Sequence, residues 1–592
     1  MGLGLTSARV GKAPPRLRRT VLAATAAAAI AVTAAPASAG TSPSGAAPGW
    51  QDVVVTGSSA DGAAQAVSAV GGRILASLPL VHGVAAQLPR GAALDPQWLV
   101  APQRELRVAA ATVPAGAGSS STVRKTLGLP ENGDEGRGIT VAVVDTGVAD
   151  VPDLAGKVSD RVDVTGTGRG DGFGHGTFMA GLIAGSGAAS GGAYQGVAPG
   201  AKLVDVKVAD AQGRTDLITV LRGLQWVSEH ARDVQVLNLS LSSGSPLPYQ
   251  IDPLTQALES LWHRGVTVVV PSGNDGPGAG TVTSPGNDPV LLTAGGLDES
   301  GTAGRGDDTV GTWSGRGPTW QGDAKPDLVA PGGHVVSLRS PGSVVDTSNP
   351  QARIGSDYFR GSGTSMATAV TAGIVADALA VAPKLRPDSV KSLFTGTAYT
   401  AAGLTRAAGA GAGGLDAARV LAAAPDWRSK PSQSQSDKDN QVVGRDAKRW
   451  AAFEKAVLDG DGVAAEAAWK ALSPASRDWA ARAWAQLDPA ARAWAARAWA
   501  ARAWAGAGDE WAARAWAARA WAARAWASDD WAARAWASDD WAARAWAARA
   551  WADVDWAARA WASEDWAARA WAARAWASDI WGARAWAWLP EA

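Results

Sequence analysis

Asp145, His175 and Ser365 stand in that order, 30 and 190 residues apart, in three settings that suit acyl transfer to a hydroxyl. That chemistry takes a nucleophile, a base for its proton, a carboxylate to orient the base, and hydrogen-bond donors for the oxyanion. Asp145 closes the apolar run Ile139-Thr140-Val141-Ala142-Val143-Val144 and precedes Thr146-Gly147, which predicts a carboxylate at the end of a strand beside a tight turn. Such edges are where sites lie in open α/β sheets. His175 lies in Gly174-His175-Gly176-Thr177-Phe178-Met179-Ala180-Gly181, a glycine-flanked helix start. Ser365 lies in Gly361-Ser362-Gly363-Thr364-Ser365-Met366-Ala367-Thr368, again a glycine-rich turn opening into an apolar helix. A serine there meets free backbone N–H groups and the positive end of the helix dipole, both of which favour developing negative charge.

Singly, each of these segments is also an ordinary turn or helix cap. Their shared order changes the reading, because Asp, then His, then Ser is one of only a few chain orders in which such triads occur. The elements that must hold them fit an α/β domain spanning 121–425. Apolar strands alternate there with helical patterns and glycine-rich turns, which predicts a mainly parallel sheet flanked by helices. Its core strands are expected at 139–144, 203–208, 234–239 and 266–270. Before it, residues 40–120 alternate strand-like runs (52–56, 73–75, 84–88) with a helix-prone stretch at 60–70, a small α+β module. After it, 426–446 is polar and poor in apolar residues, the composition of a disordered linker.

On these motifs the chain resembles the subtilisin-like protease (subtilase) family over roughly Thr122 to Val420. Further segments support the likeness: Tyr194-Gln195-Gly196-Val197-Ala198-Pro199-Gly200-Ala201, Lys325-Pro326-Asp327-Leu328-Val329-Ala330-Pro331-Gly332 and Gly413-Gly414-Leu415-Asp416-Ala417. The resemblance implies a serine endopeptidase with Asp145, His175 and Ser365 as its triad. It makes the Asn274 amide and the Ser365 N–H the oxyanion hole. It places Ser240, Leu241, Ser242, Ser272 and Gly273 against the substrate, and makes the module at 40–120 an inhibitory propeptide. The family's structural calcium is also implied, with no ligand assigned. Three departures stand out: Ala369-Val370 where Pro-His is usual, Phe178 for a His, and Ser242 for a Gly on the substrate strand.

Lys plus Arg equals Asp plus Glu, 55 each, so no bulk charge points to nucleic acid. The absence of cysteine excludes a disulfide framework, a thiolate metal site and a cysteine nucleophile. Residues 1–39 have the pattern of an export signal: a basic stretch with Arg9, Lys12, Arg16, Arg18 and Arg19, an apolar run Val21–Ala35, and Ala37-Ser38-Ala39 before Gly40. Arg18-Arg19 leaves general secretion and twin-arginine export both open, and the expected location is extracellular or at a bacterial cell surface.

Residues 447–592 are dominated by a repeat. From Trp479 to Trp588, Trp recurs mostly every fifth residue in units of Trp-Ala-Ala-Arg-Ala, and this accounts for most of the chain's 31 Trp. The composition is helix-prone, yet five residues advance a helix by about 500°, so the Trp go round it and form no coiled-coil seam. Intervening residues drift, as at Asp553-Val554-Asp555 and Ser578-Asp579-Ile580, while Trp556 and Trp581 keep their places. Three readings stand: contact with the cell envelope or self-association, neutral expansion of a short repeat, and a processing device. A rival for the whole chain is a catalytically inactive subtilase scaffold that serves as a binding or structural protein.

Overall fold

Runs rich in Val and Leu become the strands, and the Ala-, Leu- and Gly-rich stretches between them become helices. The computed structural model describes residues 49–108 save 91, 93, 96 and 97, and 122–427 save 131–134, 244–248, 250–251 and 320–322. It also describes 449, 452 and 462–473. The expected export signal, all but the first two residues of the expected linker, and the Trp repeat lie outside the described residues.

The amino-terminal module begins with β1 (Trp50–Thr56), α1 (Ala60–Ala69), β2 (Arg73–Leu78), β3 (Gly83–Pro89) and β4 (Leu99–Pro102). The strands form an antiparallel sheet in the order β2-β3-β1-β4. Ser59 caps α1 by accepting from the Gly62 N–H, as a helix start wants. Val53, Val55, Val67 and Leu88 close a small core of their own between sheet and helix. The chain then leaves as β5 (Glu105–Val108), which joins a different sheet.

The larger unit opens with α2 (Val123–Leu127), β6 (Thr140–Asp145), β7 (Val158–Asp163), α3 (His175–Ala184) and β8 (Lys202–Lys207). It continues through β9 (Arg214–Asp216), α4 (Leu217–His230), β10 (Val234–Leu239), β11 (Leu241–Ser242), α5 (Pro253–His263) and β12 (Thr267–Pro271). Next come β13 (Leu292–Asp298), β14 (Thr309–Val310), β15 (Leu328–Pro331), β16 (Val335–Leu338), α6 (Val344–Ser348), β17 (Arg353–Ile354) and β18 (Tyr358–Gly361). It ends with α7 (Thr364–Val381), α8 (Pro387–Thr397) and α9 (Ala417–Ala423), and α10 (Gly462–Ala471) lies further along the chain.

The central sheet has eight strands in the order β14-β13-β12-β10-β6-β8-β7, with β15 beside β13. All its pairings are parallel except β13 with β14. The four strands expected from sequence are β6, β8, β10 and β12, and they form the middle of this sheet. From β6 the chain goes out to β7 and β8 on one side, then returns past β6 to β10, β12 and β13 on the other. The strand order therefore reverses between β6 and β10, and the carboxyl ends of these two strands flank the crevice where ligands bind in such sheets. Asp145 ends β6, and Ser240 follows β10.

Helix α7 packs against β10, β12, β13 and β15 and against α3. It is apolar all round and buried along nearly its whole length, the pattern of a core helix. Ala369 and Val370 are both fully buried within it and the helix runs unbroken past them, so losing the usual Pro-His leaves α7 intact.

Candidate active site

His175 is the first residue of α3, and its side chain meets Asp145 across the turn after β6. Nδ1 lies 2.8 and 2.9 Å from the two carboxylate oxygens of Asp145, with Asp145 fully buried and His175 3% exposed. Against a carboxylate, that nitrogen carries the proton, so Nε2 is the basic end. Nε2 is buried and makes no hydrogen bond.

A backbone lattice holds this pair in place. Asp145 Oδ1 accepts from the Thr146 N–H at 2.8 Å, and Thr146 Oγ1 in turn accepts from the Gly176 N–H at 2.9 Å. Glycine is needed at 176, since a Cβ there would lie 2.2 Å from the Gly147 carbonyl and 3.2 Å from the Asp145 Cβ. Gly174 before His175 has φ +106°, a region side chains avoid, and this fixes the entry angle of α3.

Beneath the pair sits Asp171, a residue that no sequence motif marked. Its carboxylate accepts from the Gly174 N–H, the Thr177 N–H, Thr177 Oγ1 and Thr146 Oγ1, at 2.6–2.8 Å. It thus ties the first turn of α3, with its unpaired N–H groups, to the turn that carries Asp145. Burial pushes its carboxyl up from the ordinary value, opposed by those hydrogen bonds. On β8, Asp205 accepts from the Val148 N–H at 3.1 Å and faces Arg161. Burial raises Asp205 to about 7, with the Arg161 guanidinium pulling the other way.

Ser365 is the second residue of α7 and is fully buried. Its carbonyl accepts from Ser240 Oγ at 3.4 Å, which brings the end of β10 against the helix start. Asn274 belongs to the same corner, where its Oδ1 accepts from Thr364. A cleft joins His175 to Met366, the residue after Ser365, with Phe178, Leu338 and Phe359 on its walls. Phe178 is an apolar wall of this cleft, and its carbonyl accepts from Ser337 Oγ at 2.7 Å. The structure therefore gathers Asp145, His175, Ser365, Asn274 and Ser240 at one end of the sheet, and bonds Asp145 to His175. It makes no bond from Nε2.

Leu241 and Ser242 form β11, whose partner is β5 from the amino-terminal module. Leu241 lies opposite Val108 and Ser242 opposite Arg107, antiparallel. On its other edge β5 pairs with β9, Leu106 opposite Thr215 and Arg107 opposite Arg214. Leu106 is buried there, 1% exposed. Ser242 Oγ is buried without a partner, so a hydroxyl occupies space where glycine would leave a gap. The Ser272 and Gly273 carbonyls accept from the Thr283 and Gly315 N–H groups, so both are already engaged within the fold. Among the described residues, no three His, Asp or Glu side chains gather so as to hold a metal ion.

The profile of the subtilase family matches residues 136–411, which carry every one of these site residues. Serine protease AprX of Bacillus subtilis (strain 168) is 45% identical over 269 residues, 44% of this chain and 61% of AprX. Subtilisin Savinase of Lederbergia lenta is 35% identical over 241 residues, 41% of this chain and 76% of the relative. This chain belongs to the subtilase family. It spans about three-fifths of AprX and 54% of M-protease from Shouchella clausii (strain KSM-K16), which is 35% identical. The crystal structure of fervidolysin from Fervidobacterium pennivorans aligns with 63% of this subtilase at 23% identity and a TM-score of 0.49.

Proposed function

We propose that this subtilase is a secreted serine endopeptidase, made as a precursor whose amino-terminal module blocks its own active site. The observation that carries the catalytic reading is the buried Asp145–His175 pair, which leaves Nε2 as the basic nitrogen at the end of the sheet where α7 presents Ser365. In that reading Ser365 Oγ attacks the peptide carbonyl and His175 Nε2 takes its proton. Asp145 stays ionised, holding the imidazole in its tautomer and stabilising the imidazolium. The Ser365 N–H and the Asn274 amide stabilise the oxyanion. His175 then returns the proton to the leaving amine, and water releases the acyl group by the same steps in reverse.

Strand β5 supports the self-blocking reading. It lies as an extended chain between β11 and β9, bonded on both edges, as an extended peptide does when it adds to open sheet edges. In this reading residues 40–120 are the propeptide, and Leu241 with Ser242 is the edge that polypeptide substrates take over once it leaves. The basic and apolar pattern of residues 1–39 supports export. The tail is assigned to contact with the cell envelope or to self-association, on the held Trp spacing.

The test is Ser365→Ala in the full-length chain, with peptidase activity and the intact mass of the product both measured. Loss of activity with the propeptide still attached is the expected result. Activity equal to the parent removes Ser365 from the chemistry. If the parent chain itself neither matures nor cleaves any peptide, the inactive-scaffold reading takes its place.

A further inference from the structure

Arg104, the residue just before β5, reaches sideways to Asp252. Its guanidinium donates to Asp252 Oδ1, with the arginine side chain 15% exposed and the carboxylate fully buried. The arginine is held in line with the groove strand, because its own carbonyl accepts from the Leu217 N–H at 3.0 Å, immediately after β9. Asp252 is just as firmly held. It caps α5 by accepting from the Leu254 N–H at 3.0 Å, and its Oδ2 accepts from Ser284 Oγ at 3.4 Å. The Ser284 carbonyl accepts from the Ser243 N–H at 2.7 Å, so the carboxylate is tied to the edge that carries β11.

When β5 departs, Arg104 goes with it and Asp252 remains, since the cap belongs to the larger unit. A buried carboxylate stripped of its cation is destabilised, so the site favours another cation in the same place. We propose that Asp252 is a subsite for a cationic side chain of the substrate, an arginine above all, four residues before the residue that pairs with Leu241. This rests on the reading of β5 as the occupant of the substrate groove. The substrate class it selects is extended polypeptide with a basic residue upstream of the cut, as in Gln103-Arg104-Glu105-Leu106-Arg107-Val108. Arginine suits the site better than lysine because its planar fork can stay bonded while the chain lies flat in the sheet.

The experiment uses the full-length chain with a site for a sequence-specific protease inserted between Thr112 and Ser119, so that the module can be separated whether or not the chain matures itself. Peptides of the sequence Gln-Arg-Glu-Leu-Arg-Val-Ala-Ala are compared with versions carrying Lys, Ala or Glu at the second position. Both kcat/KM and, in a Ser365→Ala background, Kd by fluorescence anisotropy are measured. The Arg peptide should exceed the Ala peptide by about 10- to 100-fold, and the Glu peptide should be poorest. In Asp252→Asn, which keeps an acceptor for the Leu254 N–H and so keeps the helix cap, the preference should shrink to about 2-fold or less. Equal values for Arg and Ala peptides in the parent protein, or an Arg preference that survives Asp252→Asn, overturns the subsite. If no peptide is cleaved but Kd still depends on both the arginine and Asp252, the subsite stands and the endopeptidase reading falls.

Discussion

Asn274 turns its side-chain oxygen to Thr364, accepting from both the N–H and Oγ1 at 2.9 Å. A backbone N–H can only donate, so the oxygen must face Thr364, and the NH2 is the donor end of the side chain, the end that the proposed mechanism uses for the oxyanion. Asn274→Ala should lower kcat by about 10²–10³ with KM little changed, a range taken over from subtilisin itself. Asn274→Asp keeps the acceptor for Thr364 while losing the donor, so it should be impaired at least as much. A fall confined to KM would put Asn274 in ground-state binding instead.

Asp205 gives a stability effect with a definite sign. Its native carboxyl holds its proton up to about 7 because it is buried, whereas an unfolded chain releases it near about 4. Between those values the native state binds more protons than the unfolded one. The contribution is therefore complete below about 4 and is lost as pH rises through about 7. Asp205→Asn removes the titration, so the variant should gain in Tm on the parent as pH is raised from 4 to 8. A Tm difference that stays constant over that range contradicts the assignment.

The sheet and the places of Asp145, His175 and Ser365 at the ends of its elements were legible in sequence for a local reason. Strands β6, β8, β10 and β12 are short apolar runs, and Asp145, His175 and Ser365 each sit in glycine-rich turns that are conspicuous along the chain. The support beneath them was not legible. Asp171 and Asp205 are ordinary Asp residues in sequence, and they matter only because folding brings Thr146, Gly174 and Val148 to them. The pairing of β5 with β11 joins residues more than 130 positions apart, and no periodicity announces such a register. Phe178 looked like a departure from the family pattern, and its setting, a cleft wall beside His175, exists only in three dimensions.

The core of the larger unit reaches two residues past the expected domain end at 425. Trp427 packs on the core cluster, and a Cβ at Gly396 would lie 2.8 Å from its ring. A clean truncation therefore falls after Trp427, not before it. Ending the chain there should keep kcat/KM on a small peptide within a few-fold of full length and release the protein from cell-surface fractions or from oligomers. Loss of peptide hydrolysis would make the repeat part of the working enzyme. Unchanged activity together with unchanged fractionation would favour neutral expansion of the repeat.

Covalent labelling of the matured protein with a fluorophosphonate, located by peptide mass analysis, tests most directly whether Ser365 is a nucleophile activated through His175 and Asp145. The expected result is one adduct, on Ser365, that is lost in Ser365→Ala and falls by about 10³-fold or more in rate in His175→Ala. Labelling at another serine, or labelling of Ser365 at an unchanged rate without His175, would contradict it.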